Sequence, residues 1–179
     1  MDNPPDACGL IACRNICRHV VFRSQGQMVD LSIGGFSDGK LLEYIADRST
    51  QLRRLEVIYC FGDMYGAWGE SLKKLSFLEE LSLFETGISD KEIEEAGRYC
   101  PLLKALKVNI KPYVYCDDHV NDEKYMSERN ALTVAIGKTL PILRHLELIG
   151  NSMTDTGLKA ILDGCRLLES LDLRQLQIL

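Results

Sequence analysis

Five copies of one pattern, Leu-x-x-Leu-x-Leu or its Val variant, run along this 179-residue chain. They are Leu52-x-x-Leu55-x-Val57, Leu78-x-x-Leu81-x-Leu83, Leu103-x-x-Leu106-x-Val108, Leu143-x-x-Leu146-x-Leu148 and Leu168-x-x-Leu171-x-Leu173, with a looser copy at Met28-x-x-Leu31-x-Ile33. The central leucines fall at 31, 55, 81, 106, 146 and 171, so successive copies lie 24, 26, 25, 40 and 25 residues apart. One interval, between 106 and 146, is about 15 residues longer than its neighbours.

A period in the twenties with this leucine spacing is the signature of a leucine-rich repeat, each unit supplying one short strand and one helix. A single unit cannot bury its leucines, whereas stacked units form a continuous core. Full burial of each repeat leucine contributes about 1.5 to 3 kcal/mol, over roughly fifteen such positions. The expected fold is therefore α/β, a horseshoe segment of about six strand-helix repeats with a parallel concave sheet. Residues 1–24 are expected to form an N-terminal capping helix region and 25–179 the repeats, with a loop inserted at about 110–127.

The spacing of apolar residues predicts helices over Asp38–Arg48, Gly66–Leu75, Asp90–Tyr99, Ser127–Leu140 and Asp155–Leu162. Ser89-Asp90-Lys91-Glu92 is a capping-box sequence, and Thr154-Asp155 also precedes a periodic run. Cys100-Pro101 and Leu140-Pro141 stop the helices before them, because the residue preceding proline is pushed out of the helical region. Gly164 is expected to cap the last helix. Over residues 6–23, Leu10, Cys13, Cys17 and Val20/Val21 mark the apolar face of a covering helix, with Arg14 and Arg18 on a solvated face.

The net charge is −5, and no clustered Lys/Arg face is evident, which argues against nucleic acid as a partner. Seven cysteines, an odd number, with Cys60, Cys100 and Cys165 at the edges of repeats, suggest reduced, buried thiols rather than a disulfide framework. The N-terminus shows no secretory signal, no run is long enough for a membrane span, and no Asn-x-Ser/Thr site occurs. A cytoplasmic or nuclear location, without membrane contact, is the expectation.

Cys100-Pro101-Leu102-Leu103-Lys104-Ala105-Leu106-Lys107-Val108 and the stretch from Asn151 to Cys165 look like cysteine-containing leucine-rich repeats. Ile16-Cys17-Arg18-His19, Arg23 to Gln27, Tyr44 to Ser49, Arg98 to Leu103, Leu143 to Leu146 and Ile161 to Cys165 together resemble plant F-box/LRR-repeat proteins of the SKIP19-like group, in the same order along the chain. The resemblance implies the substrate-recognition repeat domain of an SCF-type ubiquitin ligase receptor. It also implies that a Skp-type adaptor binds through an F-box ahead of the segment matching Ile16–His19. Only fifteen residues stand there, so that partner is expected only if an F-box exists outside this chain, and a freestanding scaffold or decoy is the alternative. Leu176 stands where the family pattern suggests Cys. The chain then ends on Leu176-Gln177-Ile178-Leu179, where a solenoid ordinarily carries a polar cap, so truncation is expected.

Alternation along a strand turns the residues between the leucines toward the concave side. Stacking the copies gives three columns. The first is Asp30, Arg54, Glu80, Ala105, His145 and Ser170; the second is Ser32, Glu56, Ser82, Lys107, Glu147 and Asp172; the third is Gly34, Ile58, Phe84, Asn109, Ile149 and Arg174. Carboxylates beside Ile58, Phe84 and Ile149 suit a protein partner with basic and apolar contacts, unless those three extend the core. Tyr113 and Tyr115 in the insertion are candidate anchors to the same partner.

Catalytic chemistry finds little support. Cys116, Asp117, Asp118 and His119 contain ligand types but lack a second pair at zinc spacing. Gly137-Lys138-Thr139 lacks the preceding glycine of a phosphate loop, Leu132 standing there. The histidines His19, His119 and His145 lie too far apart in the pattern to centre a triad. No enzyme, cofactor or metal site is expected.

Overall fold

The computed structural model describes residues 7–60, 64, 66–86, 88–109 and 123–174, with burial assigned from residue 8 onward and, in the second half, from residue 130. The insertion tyrosines Tyr113 and Tyr115, the Cys116–His119 group and the last five residues lie outside this set.

Strand and helix alternate as α1 (Ala7–Arg23), β1 (Asp30–Ile33), α2 (Gly39–Arg48), β2 (Arg54–Ile58), α3 (Ala67–Leu72), β3 (Glu80–Phe84), α4 (Asp90–Tyr99), β4 (Ala105–Asn109), α5 (Glu123–Thr139), β5 (His145–Ile149), α6 (Asp155–Gly164) and β6 (Ser170–Asp172). The strands form one six-stranded, all-parallel sheet in sequence order. Each helix returns the chain to the next strand, which builds a leucine-rich-repeat solenoid.

The register follows the repeat leucines. Leu31, Leu55, Leu81, Leu106, Leu146 and Leu171 stand side by side across the sheet. Leu55, Val57, Leu81, Leu83, Leu106, Val108, Leu146 and Leu148 are buried between sheet and helices, while the residues alternating with them face outward. The helices close this layer with Leu41, Leu42, Ile45, Leu72, Ile93, Ala96, Ile136 and Ile161, all buried.

Local sequence sets the element ends. Asp38 caps α2, its side chain accepting from the Leu41 amide at 2.8 Å. Glu92 reaches back to accept from the Ser89 amide at 2.9 Å, the reciprocal arm of a capping box. Pro101 follows the last residue of α4, Tyr99, by two positions, and Pro141 follows the last residue of α5, Thr139, by two. Helix α5 begins four residues before the expected Ser127 and α3 ends three residues before the expected Leu75.

Two expectations are corrected. Gly164 is not a left-handed cap: it is absent from the positive-φ glycines, and it is the last residue of α6. Its missing Cβ serves packing, because a side chain there would run into the Gly137 backbone of α5. Gly137 itself lies against the Ala160 carbonyl, so Gly137-Lys138-Thr139 belongs to a helix crossing and not to a phosphate loop.

The second correction concerns α1. Cys13 and Val20 are exposed, and the face turned to the repeats carries Cys17, Val21, Arg14 and Arg18. Arg14 pairs with Asp38 at 3.0 Å and donates through Nε to the Phe36 carbonyl. Arg18 lies 4.8 Å from the Tyr44 ring centroid, with Arg48 at 4.1 Å. Long arginine stems cover apolar surface while their heads find partners.

Candidate partner-binding face

The outward residues of the sheet form the three expected columns. Arg54 stands beside Asp30 and Glu80, and Glu56 beside Ser32 and Ser82; Phe84 is flanked by Ile58 and Asn109. Lys107, Glu147 and Asp172 continue the second column, and Ala105, His145 and Ser170 the first. Gly34 and Arg174 fall just beyond the paired strand residues.

Much of this surface is paired internally. Arg54 Nε donates to Asp30 at 2.8 Å, and Ser32 Oγ donates to Glu56 at 2.5 Å. Asn109 Nδ2 donates to Glu147 at 2.9 Å. His145 Nδ1 lies 2.9 Å from Ser170 Oγ, its Nε2 3.9 Å from Glu169. Arg174 donates to Asp172 from Nε at 3.0 Å and from its backbone amide at 3.1 Å. The Arg174 hydrogen bonds hold the Asp172 carboxyl below the usual carboxylate range.

What stays unpaired matters more for recognition. The Glu80 and Lys107 side chains make no hydrogen bond or ion pair among the described residues. With Asp30 and Asp172 neutralised by arginines, Glu56, Glu80 and Glu147 stand against the single ammonium of Lys107. Ile58, Phe84 and Ile149 are half-buried: they pack beside the core and still present apolar surface outward. Ala105 is buried and contributes no reach. The sheet face is thus acidic at its centre with an apolar margin.

The cysteines divide differently from expectation. Cys100 and Cys165 occupy equivalent positions after α4 and α6, buried, each Sγ 3.9 Å from a carbonyl of the preceding helix, Leu72 and Ile136. Burial pushes the Cys100 thiol up to about 12. Cys60 instead follows β2, half-buried, its Sγ donating to the Ser37 carbonyl at 3.2 Å. Cys8 and Cys13 are exposed, so of the α1 cysteines only Cys17 packs inward. Among the described residues no three His, Cys, Asp or Glu side chains converge on a metal position, and no helix is long and apolar enough to cross a membrane.

Two further rows run along the edge where the chain enters each strand, and the strand columns did not include them. One is charged: Arg53, Glu79, Lys104, Arg144 and Glu169, linked by Arg53–Glu79 at 2.6 Å, Lys104–Glu79 at 3.2 Å and Arg144–Glu169. Hydrogen bonds from Lys104 and Arg53 hold the Glu79 carboxyl below its usual range. The other is apolar, formed by Phe77, Leu102, Ile142 and Leu167. Aligning the residues on either side of the first repeat leucine would have found both.

A scan against models of known protein families finds no match. Individual proteins match clearly. An Arabidopsis thaliana F-box protein, SKIP19, is 42% identical over 160 residues, covering 89% of this chain and 48% of that protein. The Arabidopsis putative F-box/LRR-repeat proteins 22 and 9 are 42% and 38% identical, covering 93% and 89% of this chain and 51% and 61% of themselves. By sequence the chain groups with the plant F-box/LRR-repeat proteins. It spans about half the length of the curated relatives it matches. Among solved structures, the tropomodulin C-terminal domain of Caenorhabditis elegans superposes with a TM-score of 0.52 at 8% identity, covering 86% of this chain and 92% of that one. That likeness speaks for the solenoid fold alone. Cys100 and Cys165, at the same position of two repeats and each seated on the helix before it, serve packing in this chain.

Proposed function

We propose that this chain is a protein-binding repeat segment that receives its partner on the concave sheet, with Glu56, Glu80 and Glu147 facing basic side chains and Ile58, Phe84 and Ile149 supplying apolar contact. The observation that carries this reading is strand β3, which presents at one end the Glu80 carboxylate, without a partner among the described residues, and at the other the half-buried aromatic edge of Phe84. Arg54, Ser82, Lys107, Asn109, His145, Asp172 and Arg174 complete the face and set where a partner's charges can sit. Tyr113 and Tyr115, from the insertion after β4, are proposed as additional anchors.

The F-box in the names of its relatives extends the proposal: joined to such a module, this segment serves as the substrate receptor of an SCF-type ubiquitin ligase, in the cytoplasm or nucleus. Without that module the same face acts as a scaffold or decoy. Division into a cap over 1–24 and repeats over 25–179 belongs to the same proposal. The concave reading is tested by selecting binders from a peptide library and measuring them against a Glu56→Ala, Phe84→Ala, Glu147→Ala triple variant. The selected peptides should be basic and apolar and should lose binding to a variant whose melting temperature is unchanged. Equal binding to both proteins overturns the concave site. Co-purification of the full-length protein with a Skp-type adaptor then separates the ligase reading from the scaffold.

A further inference from the structure

Helices α2 to α6 each pass to the next strand through the same tight turn. The amide of the first repeat leucine donates to the carbonyl three residues back: Leu52 to Ser49, Leu78 to Leu75, Leu103 to Cys100, Leu143 to Leu140 and Leu168 to Cys165, at 2.9 to 3.2 Å. The residue before that leucine therefore occupies the third position of the turn in every repeat, pointing away from the core. Turn chemistry favours polar residues or glycine there. Only the first repeat obeys, with Gln51. The next four carry Phe77, Leu102, Ile142 and Leu167, exposed by 44%, 40%, 36% and 49%.

One exposed apolar residue needs no explanation, but four at one repeat position form a patch. The turns are held in line by the strand entries. Glu79 and Glu80 amides donate to Arg53 O, Lys104 and Ala105 to Glu79 O, Arg144 and His145 to Lys104 O, and Glu169 and Ser170 to Arg144 O. Neighbouring strands lie about 4.8 Å apart, so the four side chains span roughly 14 Å. Three turns of helix, at about 5.4 Å each, rise about 16 Å and present apolar residues at the same interval.

Charge selects the occupant. Five residues before the first leucine of the three central repeats stand Lys73, Arg98 and Lys138, all exposed in or just after the last turns of their helices, whereas the repeat of Leu167 carries the exposed carboxylate Asp163 there. Lys73 pairs with Glu70 at 2.6 Å, whereas Arg98 and Lys138 meet no carboxylate among the described residues. A helix C-terminus offers about half a negative charge, which leaves each of these two cations partly uncompensated. On the other flank one carboxylate, Glu79, serves both Arg53 and Lys104, again leaving an excess of positive charge. In a chain of net charge −5 this edge is locally cationic on both sides of the apolar row from Phe77 to Ile142, and Asp163 ends the cationic flank beside Leu167.

We propose that the strand-entry edge, from Phe77 to Leu167, docks an acidic amphipathic helix of a partner protein, its apolar side on the four turn residues and its carboxylates toward Arg98, Lys138 and Lys104. This surface is separate from the concave face, so a partner can occupy both. Its distribution of charge also opposes that of the sheet centre, which directs segments of opposite sign to the two surfaces.

The test uses the full chain and a synthetic three-turn helical peptide with leucines at four-, three- and four-residue intervals and glutamates on both flanks. A second peptide replaces every glutamate by lysine. The acidic peptide should bind, shifting amide resonances of Leu102, Ile142 and their neighbours, and binding should weaken as salt is raised. A Leu102→Ser, Ile142→Ser variant and an Arg98→Glu, Lys138→Glu variant should each lose about tenfold or more in affinity while melting like wild type, these side chains being exposed. The concave triple variant should bind the acidic peptide unchanged. Equal binding of acidic and basic peptides, undiminished binding to the two edge variants, or binding to phosphatidylserine vesicles in place of the peptide overturns the proposal.

Discussion

Where α5 crosses α6, backbone lies against backbone, whereas where α1 meets α2 the contact is carried largely by cationic side chains. A Cβ on Gly137 would strike the Ala160 carbonyl, and one on Gly164 would strike Gly137 itself. The pattern begins one helix earlier, where a Cβ on Gly97 would sit 2.5 Å from the Thr139 Cβ. At the other end, among the described residues, only Cys17 and Val21 of α1 are buried, and the junction depends on Arg14 with Asp38 and on the Arg18, Tyr44 and Arg48 stack. Stacked repeats gain from shape, which tolerates no intrusion. The cap gains from charge, which solvent screens.

The contrast predicts a gradient of mutational cost. The largest effect belongs to the shared core: Leu106→Asp places a charge at a fully buried position between two strands and should remove the cooperative thermal transition by circular dichroism. A wild-type melt would show that the sheet does not hold this register. Next comes the glycine crossing. Gly164→Ala should cost about 1 to 3 kcal/mol, the range for overpacking, because the obstacle is backbone and cannot rotate away. The urea midpoint should fall with an unchanged slope; a midpoint equal to wild type would mean that α5 and α6 are not in close contact.

At the cap the expected effect is smaller and local. Arg14→Ala removes an ion pair whose partners are a quarter to a third exposed, for which about 1 kcal/mol is the upper expectation after solvent screening. Hydrogen exchange should accelerate in α1 while β3 to β5 keep their protection. Acceleration throughout the chain would place the cap within the same cooperative unit as the repeats.

The same contrast explains what could be read from the sequence. The pairing of the sheet columns, Gly34 and Arg174 apart, follows the leucine pattern, because a period of two within each strand and an anchored leucine in every copy leave little freedom in register. Nothing comparable governs α1. Cys13 and Val20 look apolar enough to be buried and Arg14 and Arg18 charged enough to be exposed, yet the partners that draw the arginines inward, Phe36, Asp38 and Tyr44, lie 22 to 26 residues further along the chain. Gly164 has the residue type of a helix cap, and only the distance to α5 reveals its packing role. Phe77, Leu102, Ile142 and Leu167 were in register all along; their exposure follows from the turn geometry and not from the leucine pattern.

The smallest effect probes the packing of the cysteines that accompany the repeats. Cys100 sits against the Leu72 carbonyl with its thiol pushed up to about 12 by burial, so the folded protein keeps this proton when the unfolded chain has lost it. The sign follows: stability from this group is complete below the unfolded thiol range near pH 8.5 to 9 and declines as pH rises toward 12. At pH 9.5 the loss should be on the order of 1 kcal/mol. Cys100→Val should flatten that part of the pH profile in urea titrations. Site-resolved alkylation of the native protein gives a second reading at pH 8, since exposed Cys13 should react well before Cys100 or Cys165. Equal rates would mean that α4 and α6 open as readily as α1 stands exposed, and the division between tightly stacked repeats and a charge-held cap would fail.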